Sequence, residues 1–243
     1  MDQSRKHFLR NMFIGAASVP MILSACKKDT ESTGTSTSSG SGSSSGNGTG
    51  GTSCTAAPTE TEGPYPTHSP SSYVRSDIRD DRTGVPLAVN LTVQNTNASC
   101  AALSGAIVDI WHCDKDGNYS EYSGFTSVHF LRGRQTTDAN GLVSFTTVFP
   151  GWYSGRATHI HVHVFNAAGT SLKITQIAFP EGSSSAVVLV NTTASGYTKG
   201  MSGYTYNASD GIFSDDTAGV EIAAISGSVS GGYTLTQTIK VAA

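Results

Sequence analysis

The chain has 243 residues, of which 37% are hydrophobic and 14% charged, and its formal net charge is -3. Lys and Arg form no basic stripe, and binding to nucleic acid needs clustered cations that neutralise phosphates. A nucleic-acid partner is therefore not expected. The 27 glycines, together with frequent Ser, Thr and Val, favour strands joined by turns, with little helix.

Residues 1–25 have the pattern of an export signal. Basic residues up to Arg10 precede an uncharged stretch from Asn11 to Cys26. This stretch is too short to span a bilayer comfortably, but its length suits a signal peptide. It ends in Leu23-Ser24-Ala25-Cys26, which resembles the bacterial lipobox, whose Cys is acylated and becomes the first residue of the mature chain.

Two other interpretations of this segment stay open, a plain secretory signal cleaved after Ala25 and an internal apolar segment. Residues 4–9 resemble a twin-arginine export signal, with Lys6 in place of the second Arg, so both export routes stay open. The lipoprotein interpretation predicts an exported protein at the bacterial cell envelope, periplasmic or surface-facing. The lipid on Cys26 would then be its only contact with the membrane.

Residues 26–53 are predicted to form the lipidated Cys and a flexible linker. From Asp29 to Ser53, every residue except Asp29, Glu31 and Asn47 is Ser, Thr or Gly. Such a composition buries too little apolar surface to offset the entropy lost on ordering. The folded domain is predicted over residues 54–243.

Three cysteines remain in this domain, and an exported chain meets an oxidising environment. One disulfide and one free thiol are expected. The pair Cys54 and Cys100 is favoured because both adjoin turn-like sequence. Cys113 ends an apolar run and is predicted to be a buried thiol.

The domain shows a succession of strand patterns and no convincing amphipathic helix. Val89, Leu91 and Val93 alternate with polar residues, which is the period of a half-buried strand. Further strands are predicted at residues 106–111, 142–149, 159–165, 174–179, 187–190 and 233–241. Turn sequences such as 116–118 and 138–141 separate them. The predicted fold is all-β, a β-sandwich.

Three histidines alternate with apolar residues over 159–164. On a strand, the side chains of His159, His161 and His163 project from one face. Two neutral imidazoles on one face are a typical metal-binding pair. The alternative is a solvent-facing strand that is merely rich in histidine.

The segment before this strand strengthens the metal hypothesis. Pro150-Gly151 is a turn that could bring Tyr153 over the histidine face. Arg156 lies three residues before His159 and supplies a fixed positive charge near any bound anion. The alternatives are a packing aromatic at Tyr153 and a surface charge at Arg156.

Tyr119 after Asp116-Gly117-Asn118, Tyr153 after Pro150-Gly151-Trp152, and the string Arg156-x-x-His159-x-His161 form an ordered set. The set resembles the intradiol ring-cleavage dioxygenases, which include protocatechuate 3,4-dioxygenase and catechol 1,2-dioxygenase. The resemblance covers roughly Thr61 to Phe179 and is greatest to exported, single-chain relatives of the protocatechuate enzymes. Other matching stretches are residues 61–65, 105–111, 130–138 and 174–176, with a weaker echo over 207–213.

The resemblance implies a β-sandwich of the intradiol dioxygenase type that holds a non-haem ferric ion, Fe(III). The metal ligands that it implies are Tyr119, Tyr153, His159 and His161. The catalytic residues that it implies are Arg156, Tyr153 and Gln176. Two tyrosinates are hard anionic donors that favour trivalent iron. No nicotinamide or flavin is needed, because all electrons come from the substrate.

The implied reaction cleaves a catechol-type aromatic ring between its two hydroxylated carbons with O2, giving a cis,cis-muconate-type diacid. Tyr153 would accept a substrate proton, and Arg156 would stabilise negative charge that develops at the ring. One alternative function is a non-catalytic, transthyretin-like binding or adhesion sandwich. The other is a histidine-rich copper or zinc site that includes His163.

Four further residues have weaker assignments. His163 is interpreted as a neighbour of the ligands or a solvent-facing residue, not as a fifth ligand. Tyr65 resembles a family position near the active site, and a core aromatic is the alternative. His112 and His129 are interpreted as ordinary polar positions.

Overall fold

The computed structural model describes residues 54–68 and 73–243. The signal peptide, the acylated Cys26 and the linker predicted over residues 1–53 lie outside those ranges. Within the described ranges there are nine strands and one short α-helix. No helix in this part of the chain is long and apolar enough to cross a membrane. The strands, in chain order, are β1 (Pro86–Asn95), β2 (Ala101–Ala102), β3 (Ile107–Trp111), β4 (Arg132–Thr136), β5 (Leu142–Val148), β6 (His159–Phe165), β7 (Ser171–Ala178), β8 (Ala224–Ser228) and β9 (Gly232–Val241).

The strands form two sheets. The first has the order β2-β1-β9-β8, with β5 also paired to β1, and its β1 and β9 run parallel. The second sheet, β4-β3-β6-β7, is antiparallel throughout. Alternate apolar residues of both sheets meet in one core, for example Val89 and Leu91 of β1 with Ile160 and Val162 of β6. The predicted all-β sandwich is therefore confirmed.

Most predicted strands are present, with ends that differ by a few residues. The prediction over 187–190 is wrong, because this stretch forms the helix α1 (Ala186–Val190). Its β-branched residues favour a strand, but the Ser185 side chain accepts a hydrogen bond from Val188 N and caps a helix. The helix then buries Val187 and Val190, three residues apart on one face. Tertiary burial overrides the local preference here.

The cysteine predictions are confirmed. Cys54 and Cys100 form a disulfide with a Cα–Cα distance of 5.7 Å, and Cys113 is a buried free thiol. The disulfide fixes the start of residues 54–68, here called the strap. The strap continues along the sheet edges, where Ala57 N donates to Lys240 O and Glu60 N donates to Ile174 O. It thereby reaches the second sheet.

Glu221 is a buried carboxyl group beside the edge of β7. The residue is 2% exposed, and neither carboxyl oxygen has a hydrogen-bond partner among the described residues. Burial, together with repulsion by Glu60 and Asp216, raises the pKa of Glu221 from 4.5 to about 8. The folded protein therefore keeps this group neutral near pH 7.

Glu221→Gln is expected to become more stable relative to the wild type as the pH rises from about 4.5 to 8. Between about pH 4.5 and 8 the folded state of the wild type holds a proton that the unfolded chain releases, so its stability falls as pH rises through that window. Gln keeps the neutral form at every pH. Urea unfolding measures the free energy of unfolding of the variant and of the wild type. The variant's advantage should be larger at about pH 9 than at about pH 4, by on the order of 2 kcal/mol. A difference between the two proteins that does not change with pH would contradict this account.

Candidate metal centre

Four side-chain donor atoms converge at the start of β6. His159 Nε2 lies 3.1 Å from His161 Nε2, 3.3 Å from the Tyr119 hydroxyl and 3.5 Å from the Tyr153 hydroxyl. Spacings of this size suit one ion in contact with all four atoms, since metal–ligand bonds to N and O are about 2.0–2.2 Å. The structure thus brings together the four metal ligands predicted from the sequence.

The two histidines share one face of β6, as the strand period predicts. His159 Nδ1 donates to Ala157 O at 2.6 Å, which fixes the ring and leaves Nε2 as the acceptor. His161 stacks on Trp111 at 4.9 Å between ring centroids. Burial lowers the pKa of His159 to about 3 and that of His161 well below 6.5. Both imidazoles are therefore neutral and able to bind a metal.

The two tyrosines come from adjoining turns. The Asp114 carboxylate accepts hydrogen bonds from Asp116 N and Asn118 N, both 2.9 Å, and so shapes the turn before Tyr119. Gly151 N, in the turn before Tyr153, donates to Asp114 O at 3.1 Å.

Lys199 joins the same two turns. Its Nζ donates to the carbonyl oxygens of Asp116 and Trp152 and lies 4.6 Å from the centre of the Trp152 ring. Nothing in the local sequence predicts this contact, because Lys199 is distant in the chain.

The donor chemistry fits a highly charged cation. Tyr119 is 4% exposed, and burial raises its pKa well above 10. Burial also raises the pKa of Tyr153. Both phenols therefore keep their protons without a cation, and a highly charged cation in contact with their oxygens would ionise them. In the described part of the chain, no three His, Cys, Asp or Glu side chains are grouped to hold a metal, so the two tyrosines are essential to this donor set.

The strap covers the centre. Gly63, at φ +74°, leaves room for only a hydrogen, because a Cβ there would lie 2.8 Å from His161 Cε1. Tyr65 stacks on Tyr119 with ring centroids 4.2 Å apart and meets Tyr153 edge-on at 6.0 Å. Tyr65 therefore belongs to the site.

Arg156 and Gln176 lie together beside the four donors. Arg156 Nη2 donates to Gln176 Oε1 at 2.6 Å, and Gln176 Nε2 donates to Thr61 O of the strap at 3.0 Å. Arg156 Nε donates to Asp210 at 2.9 Å. The fixed cation predicted next to the metal site is thus held in a defined orientation.

Asp210 is the main site residue that sequence reasoning missed. It is fully buried and accepts hydrogen bonds from Arg156 Nε and from Ala157 N, the latter at 2.6 Å. Since Ala157 O holds His159, the Asp210 carboxylate fixes both Arg156 and His159, a candidate metal ligand. The only signal in the sequence was the weak echo over 207–213.

Three other histidines of the described residues, His112, His129 and His163, lie outside the donor set. His163 Nε2 bonds with Ser171 Oγ at 2.8 Å, and the ring stacks on Phe165. His112 is buried, with its Nε2 2.8 Å from Thr147 Oγ1. His129 Nδ1 lies 3.0 Å from Glu121 Oε1.

A family model described as Dioxygenase matches residues 61–199, more than half of the chain. These residues include all four donors. The chain belongs to the intradiol ring-cleavage dioxygenase family. An intradiol ring-cleavage dioxygenase from Tetranychus urticae is 32% identical, has a TM-score of 0.69, and the match covers 78% of this chain and 95% of that one.

Three further relatives match with lower sequence identity. The dioxygenase domain of a carbohydrate-binding fusion protein from Streptomyces sp. SirexAA-E is 26% identical with a TM-score of 0.56, over 76% of this chain and 97% of that one. Chlorocatechol 1,2-dioxygenase from Rhodococcus opacus is 29% identical over 42% of this chain and 46% of its own length. Catechol 1,2-dioxygenase 1 from Acinetobacter lwoffii is 31% identical over 41% and 37%. The chain thus spans less than half the length of the curated relatives that it matches.

Proposed function

We propose that this protein is a non-haem Fe(III) enzyme that uses O2 to cleave a catechol-type aromatic ring between its two hydroxylated carbons. The product would be a cis,cis-muconate-type diacid. The observation that carries the proposal is the convergence of two tyrosine and two histidine donors on one point. The names of its relatives, catechol and chlorocatechol 1,2-dioxygenases, support the substrate class.

The ferric ion would be held by the two hydroxyls and the two Nε2 atoms described above. When bound, it would act as a Lewis acid toward both catechol oxygens. Tyr119 is buried under Tyr65, whereas Tyr153 is only partly buried. Tyr153 is therefore the phenol better placed to take a proton from an incoming substrate hydroxyl.

Arg156 and Gln176 would orient the ring and stabilise its charge. Arg156 uses Nε for Asp210 and Nη2 for Gln176, so its charge is fixed before the substrate arrives. A preorganised cation lowers the free energy of an anionic transition state without reorganisation. Gln176 is 1% exposed and limits the space beside the metal.

We also propose that the enzyme acts outside the cytoplasm, held at the cell envelope by a lipid on Cys26. The lipobox-like sequence before this residue supports the proposal. Mass spectrometry of the protein purified from membranes should find a diacylglyceryl adduct on Cys26. A soluble mature chain that begins at Cys26 without the adduct would contradict it.

Metal analysis and visible spectroscopy of the purified protein test the proposed function. Iron near one atom per chain is expected, with a tyrosinate-to-iron charge-transfer band in the visible. Tyr153→Phe should weaken and shift this band. Copper or zinc in place of iron would favour the metal-site alternative, and a colourless protein that stays colourless after iron is added would favour the non-catalytic sandwich. Either result overturns the proposal.

Asp210→Asn is expected to lower kcat/KM for catechols by about 10–100-fold while iron content is kept, since partners one step removed from a metal site have effects of this size. The amide keeps the shape of the carboxylate but loses its charge and one acceptor for Arg156 Nε and Ala157 N. Steady-state oxygen uptake measures the change. Asp138→Asn, at an exposed carboxylate that also accepts backbone N–H bonds, should have no effect. Equal kcat/KM in both variants would contradict the role of Asp210.

A further inference from the structure

Arg132, the first residue of strand β4, is a buried cation that has no role in the proposed reaction. Arg132 is 1% exposed, and arginine is seldom fully buried unless it is paired. It forms an ion pair with Glu121, but the carboxylate oxygen lies 3.8 Å from Nε, too far for a hydrogen bond. Neutral oxygen atoms accept its hydrogen bonds instead. The role of Arg132 therefore depends on which segments carry those atoms.

The guanidinium joins two segments that are distant in the chain. Nε donates to Ser120 Oγ at 2.9 Å, and Nη2 donates to Ser120 O at 2.7 Å. Nη1 donates to Tyr65 O at 3.0 Å and to Thr67 Oγ1 at 2.9 Å. The planar fork of an arginine holds such partners in a fixed mutual geometry, which an ammonium group does not.

Both segments control the position of the Tyr119 ring. Ser120 is its neighbour in the chain, and Tyr65 covers the ring in a stack with an interplanar angle of 11°. The Tyr119 hydroxyl lies 3.3 Å from His159 Nε2. A shift of either segment would therefore move the phenol oxygen relative to the histidines.

We propose that Arg132 is a positioning residue that sets the direction of the Tyr119 oxygen by tying Ser120 to the strap at Tyr65 and Thr67. This inference rests on the proposed function, since it concerns a tyrosine that binds iron. It can also be tested on the metal-free protein, because the stack of Tyr65 on Tyr119 involves only protein side chains.

Arg132→Lys tests the proposal against Arg134→Lys. Arg134 lies two residues further along β4, and its Nε and Nη2 bind the Asp109 carboxylate at 2.5 and 2.7 Å. Arg132→Lys should keep iron but shift and weaken the visible band, with kcat lowered by about 10–100-fold and KM changed far less. Arg134→Lys should leave the band and kcat as in the wild type. An unchanged band and kcat in Arg132→Lys would overturn the proposal.

A milder variant covers the case in which Arg132→Lys does not fold. Thr67→Val has nearly the same shape and removes one acceptor of Nη1, so a smaller band shift in the same direction is expected, and no shift would overturn the proposal. Near-UV circular dichroism of the metal-free proteins reports the tyrosine stack directly. The near-UV spectrum should change in the Arg132 and Thr67 variants and not in Arg134→Lys.

Failure of this inference can be distinguished from failure of the proposed function. If the wild type shows no iron band, the proposed function is overturned. If the wild type shows the band and the Arg132 and Thr67 variants show the same band, only this inference is overturned.

Discussion

Tyr119→Phe is expected to remove most of the bound iron, the visible band and the oxygen uptake together. The substitution deletes the hydroxyl that lies 3.3 Å from His159 Nε2 and keeps the ring that stacks on Tyr65. Residues that merely orient metal ligands change affinity by 10–100-fold, so loss of a ligand should cost at least about a hundredfold in iron affinity. Iron titration followed by absorbance measures this loss.

Tyr206→Phe is the matched control for Tyr119→Phe. Tyr206 is 48% exposed, and the change again removes one phenol oxygen. Iron affinity and the band should stay as in the wild type. If Tyr119→Phe bound iron as tightly as Tyr206→Phe, with the same band, Tyr119 would not be a ligand.

Arg156→Lys is expected to separate catalysis from metal binding. Lysine keeps the positive charge, but its single ammonium group lacks the planar guanidinium geometry with which Arg156 donates to Asp210 and Gln176 together. Loss of one preorganised charge-stabilising group lowers kcat by about 10²–10³-fold. The variant should therefore have near-normal iron content and a visible band with a severely reduced kcat in oxygen-uptake assays.

The control for Arg156→Lys is Arg79→Lys, at an exposed arginine whose partner is the exposed Asp77. Surface ion pairs of this kind contribute little to stability, and kcat should not change. A kcat for Arg156→Lys within about twofold of that of the control would exclude a role for the Arg156 fork in charge stabilisation.

The sequence predicts those parts of the site that local spacing determines. Strand period two places His159 and His161 on one face, and the turn at Pro150-Gly151 brings Tyr153 near them. The prediction missed the helix α1, because its valines favour a strand, whereas the Ser185 cap and the burial of Val187 and Val190 favour the helix. Such a decision depends on the rest of the fold.

Contacts between distant segments could not be predicted. Asp210 contacts Arg156, which is 54 residues away in the sequence, and Arg132 contacts Tyr65, which is 67 residues away. The strap places Gly63 against His161. Residues 61–65 match the family, but their own pattern does not show which side chains they pack against. These residues are fixed by tertiary packing, which a single sequence pattern does not encode.

Oxygen uptake with a panel of catechols, coupled to mass spectrometry of the product in ¹⁸O2, tests the central claim most directly. The proposed function predicts one O2 consumed per ring opened, and a cis,cis-muconate-type product with one labelled oxygen in each carboxyl group. An iron-loaded protein that consumes no O2 with any catechol would contradict it. So would a product with an aldehyde, which shows cleavage outside the two hydroxylated carbons.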